Sequence, residues 1–415
     1  MPDAPDPAAL VAALREHLPD DAVDTNAAAY AVSGLTPVVL VSPSTPEELA
    51  TVLSIANQAG AAVIPGSAGT QMHLGMPPRH YDIALYVGRL DRVIEYEPAD
   101  LTVTVEAGLP LSQLQGILGA NGQWLPLDPP VAGGATIGGI LATNASGPAR
   151  YRYGTARDLL IGVTFALPSG DLVKSGGRVV KNVAGYDLGK LQIGALGTLG
   201  VITQATFKVA PVPARVDLGM ARGPLATLMS ITRRLADALL SVEGVTLSKD
   251  AAAPDWRLRV RFAGGVTAVE RSVRDFAAFV KGAGAKVDAE PEAQADAGLE
   301  EAPLAARASV LPTALPTICE AFVAVGASIT AYPTAGVVHG AWTADGIQAN
   351  QLLYLRRLCV DAGRGALVLE RASTELKREV DVWGDAPASF ELMRRIKAEL
   401  DPNAILNPGR FVGGI

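Results

Sequence analysis

Two stretches crowd small residues together in the way that sites for phosphate-bearing ligands require. Pro65-Gly66-Ser67-Ala68-Gly69-Thr70 follows directly on the apolar run Ala62–Pro65. Small residues let the backbone approach a ligand, and consecutive N–H groups can converge on an anion. Taken alone, this stretch reads more readily as an ordinary turn. The second runs from Gly133 to Gly147 around Thr136-Ile137-Gly138-Gly139. It is too polar and too small for a core segment, and reads as a glycine turn entering a short helix whose N-terminus would face a phosphate. A glycine-rich helix packed closely on a neighbour explains it as well. Neither stretch has the G-x-G-x-x-G spacing of a dinucleotide fold. Gly185–Leu191 imitates a P-loop but has one residue too few between its glycines, and Leu191 stands where Ser or Thr is required.

Groups for proton or metal chemistry are few. The four histidines are His17, His73, His80 and His339. Only His339 lies in the later half of the chain, so no two-histidine metal site can form there, and a site completed by carboxylates alone is a weak candidate. No metal is expected. Arg307 has the forked donor set that holds a carboxylate, and His339 is a candidate base. Both also read as ordinary strand residues with structural partners. Cys319 and Cys359 are too few for a disulfide framework or an iron–sulfur cluster.

These loops need strands and helices to hold them. Up to Val209 the pattern gives a helix over Pro7–Leu18, strands at Pro37–Val41, Ala62–Pro65, Asp82–Val87, Arg92–Glu97, Leu101–Ala107 and Gly200–Val209, and a hairpin of 158–167 with 171–175. Thr45 caps a helix over Pro46–Gly60, with Glu47 and Glu48 at its positive end, and a further helix covers Pro110–Gly119. Beyond Pro211-Val212-Pro213 the order β-α-β-β-α-β runs twice, through 216–289 and 305–369, a ferredoxin-like plan. Glu290–Glu301 connects the copies, and a helix over Ser389–Leu400 precedes the extended tail.

With 415 residues and 49% hydrophobic content, the chain can bury more than one core. Its net charge of -7 argues against a nucleic-acid partner. The acidic start lacks a signal peptide's features, and no apolar run reaches the ~20 residues of a membrane span. A cytoplasmic place is expected, or one on the inner face of the cell membrane through partners.

Taken in order, several segments resemble the vanillyl-alcohol-oxidase, or PCMH-type, FAD-binding family. They are Pro65–Thr70; Thr136–Gly139 with Asn144 and Ser146-Gly147; Arg150–Gly154 with Arg157-Asp158; Lys181–Asp187; Gly197–Ile202; and the closing Asp401-Pro402-Asn403 with Leu406–Arg410. Within the family the likeness is to the FAD-binding subunits of glycolate oxidases. The resemblance implies an α+β fold: a two-lobed FAD-binding domain over 1–212, an antiparallel-sheet cap with the duplicated ferredoxin-like order over 213–372, and a segment from 373 to 415 returning to the FAD domain. The cap would rest over the flavin ring.

The same resemblance implies site roles. Pro65, Gly66, Ser67, Ala68, Gly69, Thr70 and Gln71 would wrap the pyrophosphate. Thr136, Gly138, Gly139, Ala142, Asn144, Ser146 and Gly147 would line the pyrophosphate and flavin side. Tyr151 and Gly154 join them, and Val201 and Ile202 would meet the adenosine part. Relatives that bind FAD covalently carry a histidine where Thr70 stands, so the FAD here would be noncovalent; His73 could face the flavin or sit exposed. The implied partners are a catalytic FAD subunit and an iron–sulfur subunit, and the implied substrate is a small 2-hydroxy acid such as glycolate. A stand-alone 2-hydroxy-acid (D-lactate-type) dehydrogenase and a flavin-free structural subunit are the alternatives.

Overall fold

The computed structural model describes residues 5–130, 134–177, 187–287, 302–343 and 346–415. Gly133, Lys181–Tyr186 and Glu290–Glu301, named above, lie outside the described residues. The chain divides into two compact units, one of Met1–Ala145, Thr155–Pro211 and Asp385–Ile415, the other of Ser146–Gly154 and Val212–Gly384. The second unit thus runs on past 373, where the sequence places the return.

In the first unit, α1 (Pro7–His17) leads to β1 (Val23–Asp24), β2 (Val39–Val41) and α2 (Pro46–Ala59). The start of α2 is fixed locally: the Thr45 hydroxyl accepts from the Glu48 N–H at 3.1 Å, and Pro46 sits where its missing N–H costs nothing. Gly60 ends the helix at φ 65°, a left-handed turn that suits a residue without Cβ. β3 (Val63–Gly66) and β4 (Ile83–Tyr86) complete a four-stranded sheet of order β1-β2-β4-β3, in which β2, β4 and β3 are parallel. β5 (Val93–Glu97), β6 (Thr102–Glu106), β8 (Leu160–Ala166), β9 (Leu172–Gly176) and β10 (Val201–Lys208) form an antiparallel sheet of order β5-β6-β10-β8-β9. β7 (Gln123–Trp124) pairs with β11 (Ala210–Pro211). β6 and β10 are buried along most of their length and feed a shared core that includes Val103, Val105, Ala205 and Phe207.

Four helices lie between these strands: α3 (Leu111–Gly119), α4 (Ile137–Thr143), α6 (Ala156–Leu159) and α7 (Gly189–Gln192). The last two span four residues each, too short for helical periodicity to show in sequence. α5 (Arg150–Tyr153) belongs to the second unit, where its Arg152 guanidinium donates to the Ala263 carbonyl.

The second unit carries one antiparallel sheet of eight strands: β12 (Arg215–Gly223), β13 (Val242–Lys249), β14 (Trp256–Gly264), β15 (Lys286–Val287), β16 (Leu304–Ser309), β17 (Ser328–Tyr332), β18 (Val337–Trp342) and β19 (Ala366–Arg371). Their order is β15-β12-β14-β13-β17-β18-β16-β19. Each half has the fourth-first-third-second order of a ferredoxin-like unit, and the halves meet where Leu247 pairs with Ala331 and Ser248 with Thr330. α8 (Leu225–Asp237), α9 (Val266–Gly282), α10 (Leu315–Ala324) and α11 (Ala349–Asp361) are the crossovers, and α12 (Thr374–Glu379) follows β19. Phe262 of β14 meets Phe276 of α9 edge-on at 5.8 Å, so that face of the strand is the helix-covered one. No helix among the described residues is long and apolar enough to cross a membrane.

α13 (Phe390–Leu400) and the tail return to the first unit. Leu406 bridges Val63 in parallel, with Val63 N–H donating to Ile405 O at 2.8 Å and Asn407 N–H to Val63 O at 2.9 Å. The tail therefore buttresses β3 just before the first glycine loop.

Candidate functional site: an FAD cleft built from backbone

The first unit holds a cleft of about 830 Å³ bounded by the loop after β3, the start of α4, α7 with the loop that follows it, the start of β10 and the tail. Six glycines line it: Gly66, Gly69, Gly138, Gly139, Gly197 and Gly200. Among the described residues, none of the N–H groups from Ser67 to Gln71 donates to the protein. That leaves a run of backbone donors for an anion. Arg410, the charged residue of the lining, is buried at 5% exposure. Burial pulls its guanidinium down to about 10, still cationic at neutral pH.

The start of α4 differs from the sequence expectation. Its first N–H groups do not point at a ligand: Ile137 donates to Leu109 O at 3.0 Å, Gly138 to Ala107 O at 2.7 Å and Gly139 to the Thr136 hydroxyl at 3.4 Å. The glycines serve close packing instead. A Cβ on Gly138 would lie 2.9 Å from the Ala107 Cβ and 3.0 Å from its carbonyl oxygen. The Thr136 hydroxyl also meets that of Ser67 at 2.6 Å, which ties the two glycine loops together.

A second set of ties comes from the tail. Arg410 donates to the carbonyls of Met72 and Leu74, each at 2.7 Å, and to the Asn407 side chain at 3.0 Å. Asn407 in turn donates to Leu196 O at 2.6 Å. Lys397, buried under α13, donates to Thr198 O, Leu406 O and the Asp401 carboxylate at 2.8, 3.0 and 2.6 Å. The closing segment is thus a buckle that holds the loops at 66–74 and 194–200 in place.

Of the residues expected from sequence, Pro65, Gly66, Ser67, Gly69, Thr70, Gln71, Thr136, Gly138, Gly139, Ala142, Val201 and Ile202 line the cleft. Ala68 lines a neighbouring hollow with Tyr30, Tyr81 and Tyr86. Asn144 caps α4 in a left-handed conformation at φ 52° and is not in the lining. Ser146, Gly147, Tyr151 and Gly154 fall in the second unit, and His73 does not line the cleft. Sequence reading missed Gln192, Leu196, Asn407 and Arg410. The last two stand in the closing segment, where a polar pair three residues apart was the available signal.

In the second unit, Arg307 and His339 are cross-strand partners on β16 and β18. Glu370, from β19, joins them: Arg307 Nε donates to Oε1 at 3.0 Å, and His339 Nδ1 meets Oε2 at 2.8 Å. Burial alone would raise the Glu370 carboxyl, but His339 and Arg307 outweigh it and hold it at about 2. His339 is 3% exposed, packs edge-on against Tyr332, and its Nε2 has no partner among the described residues. Direct pairings carry the row onward from Arg307 and His339 through Thr330, Ser248 and Arg257 to Arg222. Among the described residues, no group of three or more His, Cys, Asp and Glu is arranged to hold a metal ion.

The cleft fits FAD. It offers unpaired donors and a cation for a pyrophosphate, and it buries the unpaired carboxamide of Gln192 for a polar ring edge. Residues 37–176 match the family described as "FAD binding domain", and residues 376–411 the "FAD linked oxidases, C-terminal domain". The chain is 32% identical over 177 residues to glycolate oxidase subunit GlcD of Bacillus subtilis, covering 43% of this chain and 38% of that protein. It is 40% identical over 131 residues to glycolate oxidase subunit GlcE of Escherichia coli, covering 31% and 37%. It is 37% identical over 175 residues to D-lactate dehydrogenase [cytochrome] 1 of Saccharomyces cerevisiae, covering 41% and 30%. Each match spans well under half of the relative's own length. The fold is that of p-cresol methylhydroxylase, with a TM-score of 0.76 at 16% identity over 97% of this chain and 96% of that one. It is also that of alkyldihydroxyacetonephosphate synthase, with a TM-score of 0.73 at 17% identity over 97% and 86%. Residues 37–176 and 376–411 thus carry an FAD-binding domain and the C-terminal domain of FAD-linked oxidases, and FAD is the cofactor.

Proposed function

We propose that this chain is an FAD-binding subunit of a glycolate oxidase complex, the counterpart of GlcE, and takes part in oxidising glycolate to glyoxylate beside a catalytic flavoprotein subunit and an iron–sulfur subunit. One contrast carries the reading. The cofactor cleft is fully furnished, while the acid–base candidate His339 is buried and held by Glu370. The kinship with two glycolate oxidase subunits points the same way. FAD, when bound, supplies a two-electron acceptor. The chain's own work is to hold it: Ser67–Gln71 present N–H groups to the pyrophosphate, Arg410 adds positive charge, and the tail fixes both loops. The test is anaerobic mixing of the isolated protein with glycolate and D-lactate. Slow or absent bleaching of the flavin is expected, with activity appearing on co-expression with the partner subunits.

A stand-alone 2-hydroxy-acid dehydrogenase of the D-lactate type is the second reading, favoured by the Arg307–Glu370–His339 cluster. Glu370 holds a proton on His339 Nδ1, which leaves Nε2 as the acceptor for a hydroxyl proton. Arg307, directly across from His339, suits a carboxylate. Rapid bleaching of the isolated protein by one acid, abolished by His339→Ala, would establish this reading and overturn the first.

A further inference from the structure

Gln192 ends α7 in the wall of the FAD cleft and is 2% exposed. Neither its Oε1 nor its Nε2 has a hydrogen-bond partner among the described residues. A buried carboxamide with both ends unpaired is costly, and natural structures keep such a group where a ligand or another bound species completes it. Its surroundings make a merely structural role a poor explanation. Gly200 offers no side chain beside it, and a Cβ there would stand 3.5 Å from the Gln192 Nε2. Ala142, Leu196, Val201 and Ile202, on the same wall, are apolar. The loop that carries Gln192 is strapped to α4 by Gly194 N–H to Leu141 O and Leu196 N–H to Ala142 O, each at 2.9 Å. An apolar residue would pack there without loss.

We propose that Gln192 is a specificity residue of the FAD site, its carboxamide pairing with a ring edge that sets a donor beside an acceptor. FAD has such an edge on both ring systems: the amino group beside a ring nitrogen in adenine, and N3–H beside a carbonyl in the isoalloxazine. A carboxamide, one acceptor and one donor side by side, is complementary to either, as it is to the adenine edge in nucleic acids. The proposal rests on this cleft being the FAD site.

The experiment measures dissociation constants of the apoprotein for FAD, for an FAD whose adenine amino group is dimethylated (no N–H left) and for 3-methyl-FAD (N3–H blocked). Wild type and Gln192→Leu are compared, with apoprotein melting as the folding control. Wild type should prefer FAD over one analogue by roughly tenfold, the worth of one or two buried hydrogen bonds. Gln192→Leu should lose that preference while its apoprotein melts no lower than wild type. Preference against the dimethylated analogue assigns the adenine edge, and preference against 3-methyl-FAD assigns the isoalloxazine edge. Equal binding of all three ligands by wild type overturns the proposal without any variant. So does a Gln192→Leu protein that keeps the wild-type preference, or one that weakens all three ligands alike. FAD binding that survives Gly139→Val unchanged would move the cofactor elsewhere, and would remove the cleft reading rather than the pairing alone.

Discussion

The two units build their sites from different material. In the first, the cleft is made of backbone: six glycines, a run of unpaired N–H groups and carbonyls pinned by Arg410 and Lys397. In the second, the candidate cluster is made of side chains standing on three strands, Arg307, His339 and Glu370. A backbone site depends on conformation, so it fails when a Cβ intrudes or a buckle opens. A side-chain site depends on charge, so it answers to pH and to single-group replacement. Substitutions in the two units should therefore differ in kind as well as in size.

The largest effect concerns how the cofactor is held. Thr70 lines the cleft where covalent relatives carry a linking histidine, and its hydroxyl cannot make that bond. Acid precipitation should leave all of the flavin in the supernatant as FAD; flavin that stays with the pellet would break the contrast at its root. Next comes Gly139→Val. A Cβ at Gly139 would already stand 3.2 Å from the Thr136 hydroxyl, and a branched side chain adds bulk at the cleft surface. A fall in FAD affinity of roughly 100-fold is expected, at the upper end of the about 1–3 kcal/mol that overpacking costs. Full flavin occupancy in a folded variant would take this loop out of the site.

The same difference explains what was legible in the sequence. Pro65–Thr70 and the glycine pair Gly138-Gly139 announce themselves because conformational demands select small residues there. The strands and the doubled β-α-β-β-α-β order showed through period and turn chemistry, as at Thr45 and Gly60. What stayed hidden depends on long-range pairing. Glu370 lies 63 residues from Arg307, and only the sheet register brings them together. Gln192 sits in a four-residue helix with no periodic signal, and its meaning lies in what it fails to touch. The helix start at Thr136 misled for a related reason, since the carbonyls of Ala107 and Leu109 that consume its N–H groups lie in the turn after β6, elsewhere in the chain.

The buckle gives an effect on stability. Lys397→Met would leave the buried Asp401 carboxylate without its ammonium, although the N–H groups of Ile405 and Leu406 still reach it at 3.0 and 2.9 Å. Removing one partner of a buried pair costs about 3–5 kcal/mol. Urea unfolding should show that loss, and saturating FAD should recover part of it, because the ligand binds only the folded loops. A variant as stable as wild type would mean that the tail is held by other contacts.

The smallest effect belongs to the charge-built site, and it has a sign that can be worked out. The Glu370 carboxyl is held at about 2, below its ordinary 4.5. A carboxylate with a lowered folded-state value adds stability above its unfolded value and loses it as pH falls towards the folded value. The contribution should therefore be complete above about pH 5 and should fade between about pH 4.5 and 2. Its size is modest, since the side chain keeps 28% of its surface in solvent and water screens the pair. Glu370→Gln keeps the shape, removes the charge and gives a variant without this titration. At pH 7 it should be less stable by about 1 kcal/mol. The gap should narrow steadily as pH falls through 4.5 and close near pH 2. A gap that stays constant over that range would show that Glu370 acts by packing rather than charge, and would erase the distinction between a unit that answers to conformation and one that answers to pH.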